Sequence, residues 1–203
     1  MAVRSSETAY RRWPCSRYPE CVWTQTTSPA ASVSNQAPPL VLLVGPPGVG
    51  KSTLARALSG RGGLAVIGSD DVRRTLFANP SYSKSESGRV FDVVHAAAEE
   101  RLASGRGVIV DATNLIEAER AAFYGMAEQL DGRLIVVRLT AAPSVVRERL
   151  RRRSLEEGSG PAGLAVYERM RRIRQRITKP HLVVDTTAGI EAAIEAVVRE
   201  IEG

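Results

Sequence analysis

An apolar run, Leu40–Val44 (LVLLV), passes without a break into GPPGVGKS at residues 45–52, and then into the helix-compatible STLARALS at 52–59. LVLLV is apolar on both faces, as a strand buried within a parallel sheet must be. A glycine-rich turn joining such a strand to a helix opens a βαβ unit. The turn fits G-x-x-x-x-G-K-[ST], and each position has a physical reason. Gly45, Gly48 and Gly50 free the backbone to turn its N–H groups inward around phosphate oxygens, with Pro46, Pro47 and Val49 completing the loop. The helix that starts near Gly50 adds the positive end of its dipole. Lys51 is expected to reach the β- and γ-phosphates, Ser52 to ligate Mg²⁺, and Thr53 to help hold the α-phosphate. ATP and Mg²⁺ are thus the expected ligands. A plain turn would not need the lysine.

Four further apolar runs follow, at Leu64–Ile67, Gly107–Val110, Leu134–Leu139 and Leu182–Val184. Helical periodicity lies between them. Val90, Val93, Val94, Ala97, Arg101 and Leu102 recur at three- and four-residue spacing, with Ser83 and Glu86 offering a capping box ahead. Ile190, Ile194, Val197, Val198 and Ile201 repeat the pattern, and Pro143 suits the first turn of a helix carrying Val146 and Leu150. Strands alternating with helices predict an α/β fold, a parallel sheet covered on both faces.

Residues 1–38 have no such pattern. Rich in Ser, Thr, Pro and Arg, they read as a disordered tail ahead of one domain spanning 39–203. An Arg-rich, acid-poor start fits an organelle transit peptide, and an upstream start codon fits equally well. No apolar stretch resembles a secretory signal, and none approaches the ~20 residues of a membrane span, so the expectation is a cytoplasmic protein with no membrane partner. Cys15 and Cys21 match no zinc spacing and read as incidental thiols.

The net charge of +6 is unevenly spread. Residues 143–180 hold 11 basic and 4 acidic side chains, more net charge than the whole chain. The segment opens with RERLRRR (147–153), in which Arg149 and Arg153 share a helical face. Gly158, Ser159, Gly160, Pro161 and Gly163 interrupt it before a second basic helix. Two arginine-rich helices around a Gly/Pro turn predict a lid over about 147–178, able to exclude water and bring guanidinium charge to a transferring phosphoryl group. A solvated basic face is the alternative, and spacing does not choose the arginine.

Other phosphate-loop classes fit less well. Guanine reading by Asn-Lys-x-Asp is excluded, because the lysines are Lys51, Lys84 and Lys179 alone. A ring-forming motor places an acidic pair after its third strand, whereas Asp111 is followed by Ala112. Small kinases remain. The second strand runs into IGSDDVRR, with Ser69, Asp70 and Asp71 at the carboxyl edge of the sheet. Asp70 could orient an acceptor hydroxyl and take its proton, and Arg73, on the same helical face, could bind an anionic group of the acceptor. Equally, Ser69 or Asp70 could simply cap the helix through Val72 and Leu76. The third strand ends in VIVDATN. Asp111 is open to three roles there: acting on Mg²⁺ through water, orienting the acceptor or an arginine, or capping a helix. Thr113 and Asn114 follow in the acceptor loop.

From Leu40 to Glu202 the chain resembles the polynucleotide-kinase-like branch of bacterial P-loop kinases, a group with zeta-toxin-like relatives and many members known only as AAA-family ATPases. The resemblance rests on GPPGVGKST (45–53), SDDVRR (69–74), DATN (111–114) and ERLRRR (148–153). It implies a three-layer α/β/α P-loop NTPase fold with a five-stranded parallel sheet ordered 2-3-1-4-5. By the same resemblance Asp70 looks like the general base and Arg73 like a residue beside the acceptor. Arg153 looks like the lid arginine, with Arg149 as the fallback. The phosphatase domain fused to some repair kinases is not expected in this chain.

Three readings follow. The first is a kinase that transfers the γ-phosphoryl of ATP to a hydroxyl of a small-molecule or nucleotide-like acceptor. The second keeps that chemistry on a polynucleotide 5′-hydroxyl. It is less favoured, because the chain has only ten aromatic residues of the Phe, Trp and Tyr types with which to stack on bases. The third is an ATP-dependent switch protein with no phosphoryl acceptor.

Overall fold

A computed structural model describes residues 37–62, 64–157 and 162–203. The expected tail, with both cysteines, and the Gly158–Pro161 turn lie outside the described residues, apart from positions 37 and 38. The elements run β1 (Pro39–Val44), α1 (Lys51–Gly62), β2 (Ala65–Gly68), α2 (Ser69–Leu76), α3 (Lys84–Ala103), β3 (Val108–Asp111), α4 (Glu117–Gln129), β4 (Arg133–Thr140), α5 (Pro143–Glu157), α6 (Ala162–Ile173), β5 (Leu182–Asp185) and α7 (Glu191–Glu202). Every strand pairing is parallel, and the order is β2-β3-β1-β4-β5, as the resemblance implied.

The all-apolar strands are explained by the layers. In β1, Leu40, Leu42 and Val44 face a core completed by Val72 of α2, Val90 and Val94 of α3, and Phe123 and Ala127 of α4. Val41 and Leu43 face the opposite core with Leu54 of α1, Val146 and Leu150 of α5, and Ile194 and Val197 of α7. A strand sandwiched in this way has no solvent face on which to place polar residues. The result is a three-layer α/β/α P-loop NTPase fold.

Strand order also locates the site. From β1 the chain moves toward β2, and from the neighbouring β4 it moves toward β5. The carboxyl ends of β1 and β4 therefore flank a topological switch point, where open α/β sheets bind ligands. GPPGVGKS leaves β1 at that point.

Local signals held except at one cap. Pro143 is the first residue of α5. Ser83 caps α3, its hydroxyl accepting from Glu86 N at 3.3 Å. The return half of that capping box is missing, because the Glu86 carboxylate is engaged elsewhere.

Candidate functional site

Gly48 and Gly50 adopt φ +82° and +92°, which side chains with a Cβ resist. Gly48 has a second constraint. A Cβ there would stand 2.9 Å from Val146 Cγ1 and 3.0 Å from Leu150 Cγ, so the loop lies directly against α5. Lys51 begins α1 and is only 9 % exposed. Its Nζ donates to Pro46 O at 3.1 Å, folding the side chain back over the loop. Ser52 and Thr53 are exposed at the start of the same helix.

Four charged groups converge electrostatically. Burial lowers the Lys51 ammonium pKa, the carboxylates of Asp111 and Asp70 raise it, and Arg153 lowers it again. Asp111 ends β3. Burial pushes its carboxyl up, against a hydrogen bond from Ser52 and the charge of Lys51, while Asp70 and Asp71 push it further up. Neither aspartate caps a helix. The N-cap of α2 is Gly68, with no side-chain cap bond, and α4 begins only at Glu117. Asp70 is exposed in the first turn of α2 and forms no hydrogen bond with any described residue.

The loop fits the expected ligands. Its left-handed glycines make a concave backbone, a buried lysine closes one side, and Ser52 and Asp111 set paired oxygens at the helix start. That is the donor set of a triphosphate cradle and a hard divalent cation.

Three residues expected at the site have contacts that tie them into the framework. Arg73 is 7 % exposed and ion-paired with Glu86, and its guanidinium lies 4.6 Å from the centre of the Tyr82 ring. It braces α2 against α3. Asn114 is fully buried with φ +47°, and its amide donates to Leu43 O at 2.7 Å. With Gly45 N donating to Thr113 O at 3.0 Å, it ties the β3–α4 loop to the end of β1. Thr113 is half-buried beside it. Arg149 donates to Thr186 Oγ1 at 3.1 Å and to Thr186 O at 2.6 Å. It therefore fastens α5 to the body within the segment expected to form a lid. Arg153, one turn further, is the arginine whose charge reaches Lys51.

Glu86, Arg120 and Thr186 went unread in sequence as parts of the site's framework. Glu86 was legible only as a cap. Burial alone would raise its carboxyl, but bonds from the Ser81 hydroxyl, Arg73 and the Ser81 and Tyr82 backbone hold it at about 2, below the ordinary 4.5. The folded state thus binds fewer protons than the unfolded chain between these values. The stability Glu86 contributes is complete above pH 4.5 and is lost as the pH falls toward about 2. Glu86→Gln should be less stable throughout, with a shallower loss across that window. Thermal unfolding at successive pH values checks this, and parallel curves for the two proteins would refute it.

Fold and site together define a P-loop protein of nucleotide-kinase architecture. The chain belongs to the AAA domain family whose model, AAA_33, matches residues 40–177. An uncharacterized protein of Mycobacterium tuberculosis, Rv2004c, is 32 % identical over 123 residues, 55 % of this chain and 25 % of that protein. The matched region thus spans about a quarter of that relative's length. Among solved structures, the Mycobacterium tuberculosis APS kinase CysC in complex with AMPPNP and APS superposes with TM-score 0.65 at 19 % identity. The match covers 83 % of this chain and 99 % of that one. A gluconokinase from Sinorhizobium meliloti matches with TM-score 0.54 at 21 % identity, over 81 % and 98 % of the two chains. At such identities the likeness is one of fold. Among the described residues, no helix is long and apolar enough to cross a membrane.

Proposed function

We propose that the chain is an ATP-dependent phosphotransferase that moves the γ-phosphoryl group to a hydroxyl of a small-molecule or nucleotide-like acceptor. The observation that carries this reading is the convergence of Asp70, Asp111 and Arg153 on the buried Lys51. A nucleotide-binding switch needs the lysine and Asp111, but not an exposed carboxylate beside them.

Each residue has a distinct task. The Gly45–Thr53 backbone and Lys51 hold the β- and γ-phosphates and place the phosphorus for in-line attack. Ser52 and Asp111 would hold a divalent cation, which supplies neutralisation of the phosphate charge. Asp70 orients the acceptor hydroxyl and takes its proton as the new P–O bond forms and the bond to the ADP oxygen breaks. Lys51 and Arg153 face the negative charge that spreads over the transferring group.

Transfer from γ-labelled ATP to a panel of sugars, nucleosides, antibiotics and 5′-hydroxyl oligonucleotides tests the proposal. Label is expected on a hydroxyl of one small-molecule class. Label on the oligonucleotide ends alone would move the acceptor to nucleic acid. ATP binding with no labelled product from the panel or a cell extract would leave the switch reading in its place.

A further inference from the structure

Thr186, the residue after β5, is 1 % exposed and lies beside the phosphate loop. Its hydroxyl donates to Val49 O at 2.9 Å. A second acceptor, Thr140 O, is more distant at 3.3 Å and already receives Thr186 N at 2.9 Å. Arg149 Nη1 donates into the same hydroxyl oxygen at 3.1 Å, while Nη2 holds the Thr186 carbonyl. With one lone pair of the oxygen occupied by a cation, the hydroxyl proton is directed to Val49 O and is strengthened as a donor.

The peptide bond between Val49 and Gly50 is trans. In a trans peptide the C=O and the following N–H point in opposite directions. Fixing Val49 O against Thr186 therefore aims Gly50 N–H away from Thr186 and into the concave side of the loop. Gly50 is the less restrained of the two left-handed glycines. The nearest atom to a Cβ built there is Thr186 Oγ1 at 3.7 Å, whereas Gly48 is wedged on Val146 and Leu150. Without an external anchor, a glycine in this position can turn its peptide over at little steric cost.

We infer that Thr186 is a positioning residue of the phosphate site: with Arg149 behind it, its hydroxyl locks the Val49–Gly50 peptide so that Gly50 N–H faces the phosphates. The inference rests on reading Gly45–Thr53 as a phosphate cradle, but not on phosphoryl transfer. Packing alone would make the methyl group of Thr186 the part that matters. The lock makes the hydroxyl the part that matters, and its loss specific to phosphate.

The test is affinity for ATP and for inorganic tripolyphosphate, measured by calorimetry on the full chain, with thermal unfolding alongside. Thr186→Val keeps the shape and removes the hydroxyl, and is expected to weaken both ligands about tenfold. Thr186→Ser keeps the hydroxyl and should stay within about twofold of the wild type. Arg149→Met removes the donor behind the hydroxyl from a half-exposed position, and should cost about threefold even if the valine variant fails to fold. Wild-type affinity in Thr186→Val or Arg149→Met, or an equal loss in Thr186→Ser and Thr186→Val, would overturn the inference. Tripolyphosphate that fails to bind the wild type would instead overturn the cradle reading itself.

Discussion

Asp70→Asn is expected to slow phosphoryl transfer by about a hundredfold to ten-thousandfold, the usual contribution of a positioned general base. Affinity for ATP should barely change. The amide matches the carboxylate in shape and can still orient a hydroxyl, but it cannot take the proton. Nothing in the framework leans on Asp70, which is exposed and forms no hydrogen bond with the described residues. Its support for the Lys51 charge is second to that of Asp111. As an acid in the first turn of α2 it also favours the helix dipole, an effect of about 0.3–1 kcal/mol, so the variant should remain folded. Initial rates with the acceptor identified by the labelled-ATP panel, set beside an ATP titration, give the answer. A rate near that of the wild type would remove Asp70 from the mechanism. A parallel loss of ATP affinity would mark it as part of the phosphate site instead.

Arg120→Met is the second large effect, expected on stability at about 3 kcal/mol. The Arg120 side chain is fully buried. Nη1 donates to Asn114 O at 2.8 Å, Nη2 to Arg176 O at 2.7 Å and Nε to Glu117 Oε2 at 3.1 Å. Glu117 in turn receives Thr178 Oγ1 at 2.7 Å, and its backbone N–H donates to Gln175 Oε1 at 2.6 Å. Methionine would fill the volume, but it would leave the carbonyl of the buried Asn114 without its donor. The Glu117 carboxylate is partly exposed and can hydrate, which keeps the loss below that of a fully buried pair. Arg120→Lys should rescue little, since one ammonium cannot span acceptors arranged for a planar fork. Urea unfolding measures the effect, and a loss below about 1 kcal/mol would show that the network is dispensable.

The central strands β1 and β3 were legible in the sequence because nearly all their residues are buried on both faces, and even the half-exposed edge strands β2 and β5 keep an apolar run bounded by turns, so the runs marked every strand to within two residues. The phosphate loop was legible because its glycines and lysine are local requirements. Arg73, Asn114 and Arg149 each stand at a strand end or helix face where site residues gather, but their framework contacts are not legible in the sequence. Their partners are Glu86, Leu43 and Thr186, and these are brought to them by tertiary folding. Spacing reports which residues share a face. It does not report that a carboxylate from the next helix already occupies the guanidinium. Thr186 carried a weaker signal, a hydroxyl just beyond the carboxyl end of the fifth strand, where open α/β sheets concentrate their binding residues.

The basic segment is held at both ends by the same body. At one end Val146 and Leu150 are wedged on Gly48 while Arg149 grips Thr186. At the other, Gln175 N is bonded to Leu115 O, and Arg176 and Thr178 are drawn in by Arg120 and Glu117. What lies between, from residue 151 to 174, is one contiguous stretch between two fixed anchors. The entropy of closing such a stretch grows only with the logarithm of its length. Apart from Arg153, whose charge reaches Lys51, and Tyr167, which is buried against Val146 and Leu150, that stretch can therefore change length at small energetic cost while Gly48 and Thr186 keep their hold on α5.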